Sequence, residues 1–423
     1  MTPVSRRTAL ALLSSLPFAT SLRAQSVATR PNRRQFFSGT SHILLLEPDG
    51  TLAAWASAQG APNPNQRGQL GLGHADVVAN NRLYRLPGLT TVASAAAGSE
   101  FSLAVLDNGQ VLAWGRNETG ALGITRREEL GPGLAPRGDA LAPTPLAVRI
   151  SASSIAAGPD HVLALTREGT VYAWGEGAQG RLGIGELPTL RIAGSDRTLE
   201  NLPYPMQVPG LTDVVAVAAG FQHSLALMQD GTLRAWGLNS NGQLGDGTRT
   251  DRATPVRVAG IEAATAIVAG SRHSAALLAD GTVMTWGSIM TGSLGRNVGS
   301  AEYDAMPGRA ERVTGIRSIA GGRGHMLALT EAGTVMSWGD DAVGATGRGV
   351  FGGDRTSGTP KTIPRLSNVV SIAAGPTARR SFALLADGNI LTWGIVPIYA
   401  RPQGDPTVSP SPIPLVVEGL SNR

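Results

Sequence analysis

Between residues 34 and 420 the chain is built from short apolar runs of β-branched and small residues, each cut off by glycine within a few positions. The clearest stretch, 213–247, reads DVVAVAAGFQHSLALMQDGTLRAWGLNSNGQLGDG. Residues 214–218 form an apolar run short enough for a buried strand. Gly220 ends it, and 223–228 resumes as a second strand. Asp230-Gly231 supplies the positive-φ dipeptide of a tight hairpin, so 232–236 returns antiparallel. Gly237 and the run Gly242-Gln243-Leu244-Gly245 then turn the chain again. Proline-bearing segments close several units, at 141–150, 202–211, 253–261 and 412–420. Proline costs nothing on a sheet edge, where its missing N–H is not needed, so these segments are predicted to be outer, fourth strands.

The unit recurs. Trp55, Trp114, Trp174, Trp236, Trp286, Trp338 and Trp393 are the seven tryptophans of the chain, and each follows a hairpin glycine by five residues. A supersecondary unit recurring at spacings of 50 to 62 residues, repeated seven times, predicts an all-β fold: a seven-bladed β-propeller of four-stranded antiparallel blades. A second glycine stands eleven residues before the hairpin glycine in repeats one to six (Gly39, Gly98, Gly158, Gly220, Gly270, Gly322). Repeat seven departs, with Gly375 two residues further back and no Gly-x-Leu-Gly run after its tryptophan.

The pattern G-x-x-H-S-L-A-L, D-G-T-L-x-x-W-G, N-x-x-G-Q-L-G over residues 220–245 resembles the repeat of the regulator of chromosome condensation superfamily. The likeness covers roughly residues 34 to 420. It implies the propeller. It leaves function open, because that superfamily includes nuclear exchange factors for small GTPases, plant light-response proteins, ubiquitin ligases and secreted bacterial inhibitors of β-lactamase.

Five of the six histidines, His42, His161, His223, His273 and His325, share one slot, eight residues before the hairpin glycine; Phe101 and Arg380 fill it in repeats two and seven. Metal ligands must converge on one ion, whereas equivalent positions of seven blades diverge. Each imidazole is therefore expected to bond backbone groups of its own Gly-x-x-His turn, and no metal is expected. The tryptophans are expected to pack between blades. The run Gly175-Glu176-Gly177-Ala178-Gln179-Gly180 satisfies the dinucleotide-binding pattern, but no helix is predicted after it, so no cofactor is expected. The absence of cysteine excludes disulfides and thiol chemistry.

Residues 1–24 read as an export signal of twin-arginine type, with Arg6-Arg7 before the apolar stretch 9–18. That stretch is too short to span a bilayer. Residues 25–33 are expected to be a flexible stem and 34–423 the propeller. The formal charge of +5 falls to +2 without Arg6, Arg7 and Arg23, and to −1 without Arg30, Arg33 and Arg34 of the stem. A near-neutral ring gives no electrostatic case for nucleic acid.

The segments after each Gly-x-Leu-Gly differ greatly in length and leave equivalent points of equivalent blades, so they should gather on one face. Arg126, Arg127, Arg191, Tyr303 and Phe351 are the candidate anchors there, since arginine and aromatic residues dominate interface energetics. Together these readings predict an exported, non-enzymatic, monomeric scaffold, periplasmic or extracellular. It would bind a protein partner through its loops, similar in kind to the secreted β-lactamase inhibitors. Guanine nucleotide exchange is not expected of an exported chain. The alternative is a propeller lyase or hydrolase acting on an envelope polysaccharide or peptide.

Overall fold

The computed structural model describes residues 34–56, 65–76, 78, 83–125, 138–146, 150–188, 190–191, 198–199, 201–299, 301–351, 358–376, 378–395 and 410–417. The segments read above as leader and stem lie outside these residues, except that Arg34, counted above with the stem, is placed and pairs with Glu47 at 2.8 Å.

Seven four-stranded antiparallel sheets follow one another in chain order and form a ring. Blade four shows the unit: Val214–Ala219, His223–Met228, Leu233–Gly237 and Arg252–Arg257, each strand paired with the next. The sequence repeat and the physical blade coincide. Blade one is Gln35–Ser38, His42–Leu46, Leu52–Ala56 and Leu83–Arg85, and blade seven is Val369–Ala374, Arg380–Leu385, Ile390–Ile395 and Pro410–Val416. The proline-bearing outer strands are present as Ala140–Pro145, Asn201–Gln207, Arg252–Arg257 and Pro410–Val416. Blade three carries an extra ribbon of two strands, Leu190–Arg191 and Thr198–Leu199.

The hairpin chemistry differs in detail from a two-residue turn. In blade four the Gly231 N–H donates to Met228 O (3.0 Å) and the Met228 N–H donates to Thr232 O (2.9 Å). Only Gly231 takes positive φ, at 80°. This is the three-residue loop that ends in a left-handed glycine. Asp230 caps it, its Oδ1 accepting from the Thr232 N–H (2.9 Å) and the Thr232 hydroxyl (2.7 Å).

Both faces of a blade are covered by neighbouring blades, so the second strand is buried throughout, as His42–Leu46 and His161–Thr166 show. Each apolar cluster spans two blades. Leu225, Leu227, Leu233 and Ala235 of blade four, for example, pack with Ala269, Ala276 and Trp286 of blade five. Every tryptophan from Trp114 onward is fully buried, and its indole N–H donates to a backbone carbonyl of the preceding blade's Gly-x-Leu-Gly run, or of Gly344-Ala345-Thr346-Gly347 for Trp393; for Trp236 this is Arg181 O at 2.9 Å. Gly183 lies against that indole. It holds φ at +72°, and a Cβ there would sit 2.7 Å from Trp236 Nε1, so glycine is required twice over. Truncating Trp236 to alanine is expected to cost about 3–5 kcal/mol and to lower the melting temperature while leaving partner affinity per folded molecule unchanged. Calorimetry beside a binding titration checks this; unchanged stability with lost binding would contradict it.

Candidate functional face

Strand order decides which loops share a face. The Gly-x-x-His turns join first to second strands and the long loops join third to fourth strands, so both emerge at one end of every blade. The Asp-Gly hairpins emerge at the other. The near-axis turns of this face are tied together by backbone bonds from blade to blade. Phe221 N–H donates to Gly270 O (3.1 Å), Ser271 N–H to Arg323 O (3.2 Å), and Arg323 N–H to Ala378 O (2.9 Å).

The histidines below these turns do not bond their own backbone, as expected from the sequence, but reach the next blade. His42 Nε2 meets Ser102 Oγ at 2.7 Å, His161 meets Ser224 at 3.1 Å, His223 meets Ser274 at 2.9 Å and His325 meets Ser381 at 2.8 Å. Each serine hydroxyl donates onward to a carbonyl that the tryptophan also uses, as Ser224 does to Arg181 O at 2.8 Å. The serine proton is thereby committed, so the imidazole must donate from Nε2, while burial keeps the ring neutral. Burial pushes His42, His223 and His273 down to about 3 and His325 to about 4, and holds His161 well below the ordinary value. Glycine three residues earlier admits the ring: a Cβ on Gly322 would meet His325 Cε1 at 2.0 Å.

Where the slot is not histidine, the facing residue changes with it. Val162 follows Phe101's blade, and Ile43 stands in the corresponding position beyond Arg380's blade. Arg380 is fully buried; its Nε donates to Ile395 O and its Nη1 has no partner, and desolvation pulls it down to about 10. His273 faces a blade that has Met326 in place of serine, and its Nε2 is left unpaired.

Charge on this face is divided. Around blades two and three, Arg116 lies among Glu100 (3.2 Å), Glu118 (4.0 Å) and Asp160, while Arg67 reaches Glu118 (2.8 Å) and Asp139 (3.2 Å). Four carboxylates thus share two guanidiniums there. Around blades five to seven the sign reverses: Arg272, Arg323 and Arg379 border a cavity of about 330 Å³ with Asp340 as its one acidic residue. The sequence reading missed this arrangement.

Of the anchors read from the sequence, Arg126 and Arg127 lie outside the described residues, and so does the side chain of Arg191, whose backbone pairs with Thr198. Tyr303 opens the outer strand Tyr303–Arg309, and the Arg249 guanidinium sits 4.4 Å above its ring. Phe351 is half exposed beside Val350. Tyr303 and Phe351, the two anchors whose side chains are described, belong to the third-to-fourth-strand segments of blades five and six. The glycine-rich run at 175–180 leads into a single 3-10 turn, Ala178–Gly180, rather than a dinucleotide-binding helix. Among the described residues no three histidine, aspartate or glutamate side chains converge as a metal site.

A family model described as the RCC1-like domain matches residues 25–307, and one for the regulator of chromosome condensation (RCC1) repeat matches 316–345. The chain belongs to the RCC1-like family. It is 30% identical to the ultraviolet-B receptor UVR8 of Arabidopsis thaliana, over 89% of this chain and 80% of that protein. To the guanine nucleotide exchange factor SRM1 of Saccharomyces cerevisiae it is 27% identical, over 80% of this chain and 77% of the other. The crystal structure of Kap60 bound to yeast RCC1 (Prp20) shares the fold, at 24% identity and a TM-score of 0.65 over 84% of this chain and 82% of that one. Other family matches span only 39% and 23% of the relative's own length. These findings correct the functional expectation. An RCC1-like chain that aligns with an exchange factor along most of both sequences gives no ground for excluding exchange activity, and nothing among the relatives supports an exported scaffold.

Proposed function

We propose that this chain is a regulator that acts by binding a protein through its loop-bearing face, and that the activity it exerts is guanine nucleotide exchange on a small GTPase. The observation carrying this reading is the alignment with SRM1 over 80% of this chain and 77% of that factor, which takes in most of the ring rather than a few repeats. The divided charge of the face supports a folded partner: carboxylates on one side and guanidiniums on the other fix the orientation of docking and steer the encounter. Exchange needs no catalytic residue of its own, only a surface that binds the nucleotide-free GTPase better than the nucleotide-bound one.

The test is release of a fluorescent GDP from purified small GTPases in the presence of the full chain. Acceleration of about tenfold or more is expected, reduced in the double variant Glu100→Gln, Asp160→Asn, whose changes lie on the acidic side of the face. A folded chain that accelerates release from no GTPase in the panel would overturn the exchange reading.

A further inference from the structure

The cavity on the loop-bearing face is made by one missing side chain. The position just before the His slot is Ser41, Glu100, Asp160, Gln222, Arg272 and Arg379 in six blades, but Gly324 in blade six. A Cβ on Gly324 would lie 3.1 Å from both Asp340 Cβ and Thr291 Oγ1, so any larger residue would begin to fill the space. The gap of about 330 Å³ that remains holds roughly ten water volumes, enough for a small molecule or one modified side chain.

Its lining sets three guanidiniums against one carboxylate. Arg272, Arg323 and Arg379 come from the corresponding turns of three successive blades, and the backbone bonds between those turns fix where the guanidiniums start. Asp340 Oδ2 approaches Arg379 Nε only to 4.0 Å, and that Nε is buried with no hydrogen-bond partner. Among the described residues, no carboxylate lies within ion-pair reach of Arg272 or Arg323. His273, buried to 1% exposure, also borders the cavity, and its Nε2 is the one left unpaired because Met326 replaces the usual serine. An unbalanced guanidinium trio from three successive blades therefore borders one cavity. Such donors are costly to leave unmade and strong when an oxyanion takes them up.

We propose that this cavity binds a phosphomonoester. Three guanidiniums against one aspartate leave a net charge of +2, which a phosphomonoester of about −1.5 to −2 balances and a single carboxylate does not. The apolar remainder of the ligand would lie toward Phe221 and Met290, both exposed at the cavity. Inorganic phosphate and O-phosphoserine probe the free small-molecule source; a phosphoserine peptide probes a modified partner.

Isothermal titration of the full chain is expected to show one site for at least one of these probes, with the unphosphorylated peptide silent. Arg323→Gln is expected to weaken binding about tenfold and Arg272→Gln with Arg323→Gln to abolish it, while Arg257→Gln on the outer strand of blade four leaves it unchanged. Peptide binding much tighter than that of O-phosphoserine assigns the site to a partner; equal affinity assigns it to a metabolite. Absence of binding by all three probes at about 10 mM, or equal loss in the Arg257→Gln control, would refute the site. The inference does not depend on exchange activity, and the titration contains no GTPase.

Discussion

Lowering the pH from 7.5 to 5 is expected to unfold this propeller before the carboxylates that cap its hairpins titrate. The cause is the set of five buried imidazoles held neutral between blades, at His42, His161, His223, His273 and His325. Their folded values are depressed below the unfolded value of about 6.5, so above that pH both states bind the same protons and stability is at its full value. Below it the unfolded chain takes up protons that the folded ring refuses, and stability falls with each step of acidification until the folded values are reached. One pH unit below 6.5, each imidazole has cost on the order of 1 kcal/mol, so the five together have cost several kcal/mol, a large part of the stability of an ordinary domain. The carboxylates that cap the hairpins, Asp49, Asp230 and Asp280, are held below the usual range by their hydrogen bonds to Thr51, Thr232 and Thr282, and so act at lower pH. Denaturant titrations at half-unit steps between pH 7.5 and 5 check the slope. Replacing one joint by the apolar pair found in blades two and three, as His223→Phe with Ser274→Val, should reduce the slope by about one fifth. A slope unchanged by that double variant would remove the imidazoles as its cause.

The joints also mark where reading by sequence stopped. The strands within a blade were legible because alternation, glycine breaks and Asp-Gly turns are local signals, and the ring followed from their recurrence. The partner of each histidine was not, because it is set by how one blade lies against the next, and no local periodicity encodes that. A signal was present in hindsight: Ser102, Ser224, Ser274 and Ser381 fill the position after the slot, while Val162 comes where the preceding slot holds Phe101. The outer strands of blades one, five and six escaped the proline rule for a similar reason. Leu83–Arg85 and Lys361–Thr362 are too short to carry a pattern, and in Tyr303–Arg309 an aspartate and a glycine obscure the strand although it carries Pro307. The basic cavity required aligning Arg272, Arg323 and Arg379 by blade position, since they are scattered in sequence and the overall charge of the ring is close to balanced. The anchors proposed from loop composition had no such alignment behind them, and for three of the five no side chain is among the described residues.

Phe382→Ala is expected to open the ring at one place. Blades one and seven are each built from contiguous chain and share no strand among the described residues, so the joint between them has no covalent or ladder continuity to fall back on. What holds it is a side-chain cluster, Ile43 and Trp55 of blade one with Phe382, Leu384, Ile390 and Val417 from the chain's end. Phe382 is its centre: fully buried, stacked on Phe36 at 5.5 Å and edge-on to Trp55 at 6.2 Å. The backbones also meet closely, since a Cβ on Gly375 would lie 1.9 Å from Ser38 O, and Arg34 pairs with Glu47 while its Nη1 reaches Gly388 O. Removing the ring of Phe382 should cost about 3–5 kcal/mol, like any buried aromatic, but the loss is spent on a joint that the chain does not span. Blades one and seven should therefore lose amide protection first, as a local opening, while blades three to five keep theirs. Trp236→Ala, of similar cost but set between blades joined by the chain, should instead lower protection around blades three and four without freeing the ends. Hydrogen exchange followed peptide by peptide separates the two. Uniform loss of protection in Phe382→Ala, or none in blades one and seven, would mean that something other than this cluster closes the ring.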